Sequence, residues 1–263
     1  MPEPKTTDFP PQAALDWFKA KGIQPGFDYR DVWLEEQANA FTVAKMLNAD
    51  LLVEVRALVE QALEQGQTYQ QFAAAIKPLL VKSGWWGIQE MDDPATGETK
   101  RVQLGSEGRI KTIYRTNMRT ARAAGQWQRI ERTKRAMPYL VYQLGPAREH
   151  RALHVSWNGI TLPVDDPWWQ THMPPNGWGC HCRVRQISKF EYAKLEDTQG
   201  YQFAAPADGT KEWVNTRTGG GETLPKGNEP GWNYNPGKSR EQALNADLAA
   251  KEQTMRQALS APL

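Results

Sequence analysis

All four histidines and both cysteines of the chain fall between positions 150 and 182: His150, His154, His172, Cys180, His181 and Cys182. Thiolate sulfur and imidazole nitrogen together are the usual donors for zinc. His150 and His154 are four apart and share one face of a helix. Cys180 and Cys182 are two apart and share one face of a strand, with His181 turned the other way. This pattern points to a structural zinc held by His154, Cys180 and Cys182. The fourth ligand is His150 or His172, with Asp165 a further choice. Such an ion would clamp a helix, a Trp/Pro-rich loop and a strand, which a small loop-rich unit needs. The alternative is that the cysteines are small buried apolar groups and the histidines serve hydrogen bonds. Nothing in the sequence poises the pair as a nucleophile.

An enzyme, a zinc-dependent hydrolase or a nucleic-acid-processing enzyme, is the competing function. A catalytic zinc keeps one position for water and has a carboxylate base nearby, and Glu149, Asp165 and Asp166 are at hand. Two thiolates and two imidazoles would instead fill the tetrahedral shell. The chain has no His-Glu-x-x-His, no phosphate-cradling glycine loop and no Gly-x-Ser-x-Gly. A non-enzymatic role is the expectation.

The formal net charge of +2 hides an asymmetry. Residues 1–108 carry 10 basic and 16 acidic side chains, 109–190 carry 14 and 4, and 191–263 carry 8 and 10. A central block this basic attracts a polyanion, DNA first, unless it pairs internally with the acidic first third. Arg115, Arg119, Arg122 and Arg129 form one stripe on a helix, and 109–135 holds nine basic residues against the single acid Glu131. Interleaved acids would mark an ordinary solvated face, so the stripe is read as a contact for DNA or an acidic partner. Asn117, on the apolar side of the same helix, is read as structural.

Positioning these groups falls to an α+β chain, 40% hydrophobic and 24% charged, expected to be soluble and globular. Spacing predicts helices over 11–22, 31–48, 50–65 and 69–82, with Gly66 and Gly84 as stops. Residues 85–88 and 100–104 flank a turn-rich segment and predict a hairpin. A long helix follows from Arg109 to Arg135, interrupted at Gly125, then a buried strand over 137–145. A short helix over 146–155, a loop over 156–179 and a strand over 179–187 carry the His/Cys cluster. The remainder reads as irregular segments ending in a helix over 239–259, with Ser239 and Gln242 as a capping box. The resulting division is a helical region (1–83), a hairpin excursion (84–108), a core in which the long basic helix packs on a small loop-rich β core (109–190), and an irregular C-terminal segment ending in a helix (191–263). Eleven tryptophans are read mostly as core, some as partner surface. No apolar run approaches the ~20 residues of a membrane span. The opening MPEPKTTDFPPQ has no apolar signal region, so folding in a reducing cytoplasm is expected, with no membrane partner.

Several segments together resemble the head-morphogenesis domain of the Mu protein F family of bacteriophage minor head proteins. They are Arg151-Ala-Leu-His154, Gly159, Leu162-Pro163, Asp165-Asp166-Pro167-Trp168 and Pro174-Pro-Asn-Gly-Trp-Gly-Cys-His-Cys-Arg183. The helix Ile113–Ala121, and the outlying Phe18–Gly22, Ala40–Lys45 and Gly231–Gly237, are similar as well, so the likeness spans roughly 10–240. Asn117 stands where some branches carry an acid, and His181 where Arg is common. The resemblance implies a virion protein in few copies, in the head or at the portal vertex, present in the host cytoplasm during assembly. Its implied partners are the portal protein and/or the major capsid protein, with non-specific DNA contact, and it implies no enzymatic activity.

Overall fold

The computed structural model describes residues 12–32, 36–217 and 219–239. The first half is helical: α1 (Gln12–Lys19), a 3-10 turn at Tyr29–Asp31, α2 (Glu36–Asn39), α3 (Ala49–Glu64) and α4 (Tyr69–Lys82). Two short strands, β1 (Gly22–Ile23) and β2 (Ala40–Phe41), pair in parallel between them. Local chemistry sets the helix starts. Asn48 accepts from the Leu51 N–H at 2.9 Å, and Thr68 and Gln71 form a reciprocal capping box. β3 (Ile88–Asp92) and β4 (Thr99–Gln103) then form an antiparallel hairpin. It lies a few residues inside the expected arms, because Trp85 goes to the core instead and donates from Nε1 to the Lys45 carbonyl at 2.8 Å.

The long α5 (Glu107–Thr133), capped by Ser106, is the spine of the molecule. Its first half joins α1, α3 and α4 in one apolar core. Trp127 and Ile130, further along, belong to a second core with the tryptophan-rich half. The expected interruption at Gly125 is absent: the helix runs through it. The glycine serves close packing, since a Cβ there would stand 2.8 Å from the Ala14 backbone nitrogen of α1.

The second core wraps a three-stranded antiparallel sheet in the order β6-β5-β7. β5 (Tyr139–Gln143) is central, between β6 (Thr161–Pro163) and β7 (Arg183–Ile187). α6 (Ala152–Ser156) and α7 (Trp169–His172) sit between the strands. Beyond them come α8 (Lys189–Glu196) and an antiparallel hairpin of β8 (Thr210–Val214) and β9 (Gly221–Pro225). The chain is an α+β protein, and among the described residues no helix is long and apolar enough to cross a membrane.

Five expectations need correction. The predicted helix over 31–48 is instead turn, α2, β2 and an irregular stretch. Lys45 adopts φ 71° there, and its amide and Nζ both donate to the Phe27 carbonyl, at 3.0 and 2.7 Å. The expected loop over 156–179 contains β6 and α7, and the expected short helix over 146–155 begins only at Ala152. Cys180 and Cys182 precede β7 rather than lying on it. The stretch from 191 on, expected to be irregular before its last helix, holds α8 and the β8–β9 hairpin. The expected helix over 239–259 lies, beyond Ser239, outside the described residues.

Candidate metal centre

His154 comes from α6, a short helix closed against β5. Its ring is 2% exposed and stacks on Trp157, centroids 4.8 Å apart. Nε2 donates to the carbonyl of Gly227 at 3.0 Å. A carbonyl only accepts, so the proton resides on Nε2 and Nδ1 presents a bare lone pair. Nδ1 faces both sulfurs, at 3.9 Å from Cys180 Sγ and 3.6 Å from Cys182 Sγ. All three donor atoms lie within 4.8 Å of one another. Zinc bond lengths and a tetrahedral angle require an N···S edge of about 3.6 Å, so the trio fits a zinc ion with little adjustment.

The sulfurs are electronically unequal. Cys180 is held below the usual thiol range by the hydrogen bond from Cys182 and by the backbone N–H groups of Asn176 and Cys182, against the opposing effect of burial. Cys182 is pushed up, first because it donates to Cys180 and then by burial. Metal binding would replace that remaining proton.

The scaffold around the trio is specific. Tyr142 of β5 donates to Asn176 Oδ1 at 3.0 Å. Glu229 accepts from the Trp178 amide at 2.7 Å and pairs with Arg151, whose guanidinium also reaches the Trp178 carbonyl at 2.9 Å. These bonds tie the loop before Cys180 to α6 and to the segment after β9. Gly145 lets the chain pass against His181, where any Cβ would strike the carbonyl oxygen at 1.8 Å. Gly227, with φ 93°, has the Trp157 ring where a Cβ would be, at 2.4 Å.

The other expected groups lie elsewhere. His150 donates to the Gly145 carbonyl at 2.8 Å. His172 is buried against Trp168, with Nδ1 donating to that residue's carbonyl at 3.1 Å. Asp165 accepts from Lys134 at 2.8 Å, and Asp166 caps the Trp168 amide at 2.9 Å. Glu149 is exposed. Among the described residues no fourth His, Cys or carboxylate joins the trio. His181 points away, toward α5, and accepts from Arg119 at 2.6 Å. Arg115, Arg122 and Arg129 are exposed along α5. Among the described residues, no ion pair joins Arg115, Arg119 or Arg129 to a carboxylate. Sequence reasoning missed Gly227, Tyr142, Asn176 and Glu229; a glycine forced to positive φ is the only local signal any of them carries.

Fold and centre together define an α+β protein built on one basic helix, with a buried His/Cys/Cys group braced by segments from three parts of the chain. A family model described as "Phage Mu protein F like protein" matches residues 53–185. The chain belongs to this family. Protein F of Escherichia phage Mu, a protein named for capsid assembly, is 35% identical over 244 residues, which cover 88% of this chain and 55% of that protein. The Mu-like prophage FluMu F protein of Haemophilus influenzae is 33% identical over 235 residues, 82% of this chain and 54% of its own. The chain thus spans about half the length of these relatives. No solved structure matches it at a significant level.

Proposed function

We propose that this chain acts in phage head morphogenesis as a minor head protein, docked on the portal or major capsid protein in the assembling head. In this role the basic face of α5 meets DNA or an acidic portal surface, and zinc at His154, Cys180 and Cys182 staples the second core. Family membership over 53–185 supports the assembly role, as do relatives named for it. The single structural observation in favour of a polyanion is that Arg115 and Arg129 stand exposed on α5, with no carboxylate paired to either among the described residues. Co-expression with the portal and capsid proteins of its own phage tests the role. The chain should co-sediment with procapsids. Its absence from both procapsids and finished heads would remove the proposal.

One observation favours a second reading, a zinc hydrolase: three donors leave a tetrahedral ion one open position. Against it, among the described residues no carboxylate belongs to the group to act as base. Cobalt(II) substitution separates the two. Visible bands that shift on adding azide would place an exchangeable ligand on the ion and support catalysis. Bands indifferent to azide support a closed staple.

A further inference from the structure

We propose that a cavity between α5 and the 40–44 segment receives a segment of a partner protein that presents an aromatic side chain beside a carboxylate. The cavity holds about 320 Å³, the lower end of the range for small-ligand sites. The buried Phe41, Ile113, Trp232 and Tyr234 line it, with the more exposed Tyr29 and Trp178 as its rim. Tyr29 and Trp178 are 36% and 38% exposed and meet edge to face at 5.9 Å; Trp178 meets Trp232 the same way at 5.0 Å. Large rings left in water at the mouth of a cavity are typical anchors of protein interfaces. The bonds from Glu229 and Arg151 to the Trp178 backbone hold this rim in place before any partner arrives.

The polar groups select the partner's charge. Arg109 lines the cavity, half buried against the Trp85 ring at 5.0 Å. It donates to the backbone carbonyls of Gln103 and Ala44, burial lowers its pKa, and among the described residues no carboxylate lines the cavity. A guanidinium in an apolar setting asks for an anionic acceptor. The site includes none of the three metal-donor residues and none of the stripe arginines, and it stands whether or not the head-assembly role does.

The purified full chain is titrated by calorimetry with acetyl-Asp-Phe-Glu-amide, its neutral isostere acetyl-Asn-Phe-Gln-amide, and acetyl-Asp-Ala-Glu-amide. The first should bind saturably, and each of the others about tenfold more weakly, as expected for losing charged hydrogen bonds or an aromatic anchor. Arg109→Gln should erase the preference for the acidic peptide. Thr116→Phe, which plugs the cavity from α5, should abolish binding while retaining a cooperative melt. Thr112→Phe is the second plug should the first not fold. No saturable binding, equal binding of acid and amide peptides, or binding that survives a folded plug variant would each overturn the proposal.

Discussion

The tautomer of His154 governs what the cysteine pair can do. With the proton fixed on Nε2 by the Gly227 carbonyl, Nδ1 is free to complete a soft donor set with two sulfurs, one already disposed to ionise. Protein purified without chelator should therefore carry about one zinc per chain, read by elemental analysis. Cys180→Ser and Cys182→Ser should each lose it and melt lower; full zinc in either variant would dissociate the sulfurs from the ion. The cluster was legible in the sequence because chemistry restricts its residue types. The Gly227 carbonyl was not, since any residue has one and only the fold brings position 227 to 154.

His172 illustrates the other fate of an imidazole. Burial among tryptophans pushes its pKa down from 6.5 to about 4. Between those values the unfolded chain binds a proton that the folded chain refuses, so stability is full above about pH 6.5 and falls as pH approaches 4. The loss amounts to at most about 3 kcal/mol. His172→Phe should flatten the stability profile in that window, measured by urea unfolding at a series of pH values. A slope unchanged by the substitution would mean that other groups carry it.

At the scale of elements, α5 does two jobs on two faces. Its buried face joins both cores, and Gly125 permits the backbone of α1 to approach at van der Waals distance. Gly125→Ala should gain about 1 kcal/mol of helix propensity and lose more by forcing α1 away, since overpacking costs about 1–3 kcal/mol. Net destabilisation in urea is expected, and a stabilised variant would show that α1 yields freely. The polar face makes the second prediction. If Arg115 and Arg129 meet phosphates, replacing both by Gln should reduce the salt dependence of DNA affinity by about 0.9 in log–log slope per residue. An unaltered slope would leave them as solvated side chains. The helix and its stripe were legible from periodicity alone, because apolar and basic positions separate cleanly over seven turns. The false helix over 31–48 had comparable spacing. Its described buried residues are Val32, Ala38, Phe41, Val43 and Met46, a set that follows the β1–β2 pairing with residues 22–23 rather than a helical period, which local periodicity does not encode.

Across the whole molecule, acidic side chains of the first third are met by a cation from far beyond α5. Arg217, between β8 and β9, pairs with Asp31 of the N-terminal turn and, at 2.7 Å, with Asp93 of the β3–β4 loop, a side chain with 0% exposure. Lys100 reaches Asp93 as well, at 3.0 Å. Regional charge totals could not reveal this, because one arginine far along the chain does what the basic block was expected to do. Hydrogen bonds from Arg217 above all, then from Lys100 and the Ala95 amide, hold Asp93 well below its ordinary 3.8. A depressed carboxylate contributes stability that is present above pH 3.8 and is lost only as pH falls through its lower folded value. Acid unfolding should therefore proceed in two stages, the His172 contribution fading first and the Asp93 contribution below it. Asp93→Asn should remove the second stage alone. Arg217→Met should lower the melting temperature far more than Lys77→Met, because Lys77 pairs with Glu107 in the open, whereas Arg217 leaves two carboxylates facing each other across three segments. Equal shifts for the two variants would mean that these segments are held together by packing, with the ion cluster incidental to it.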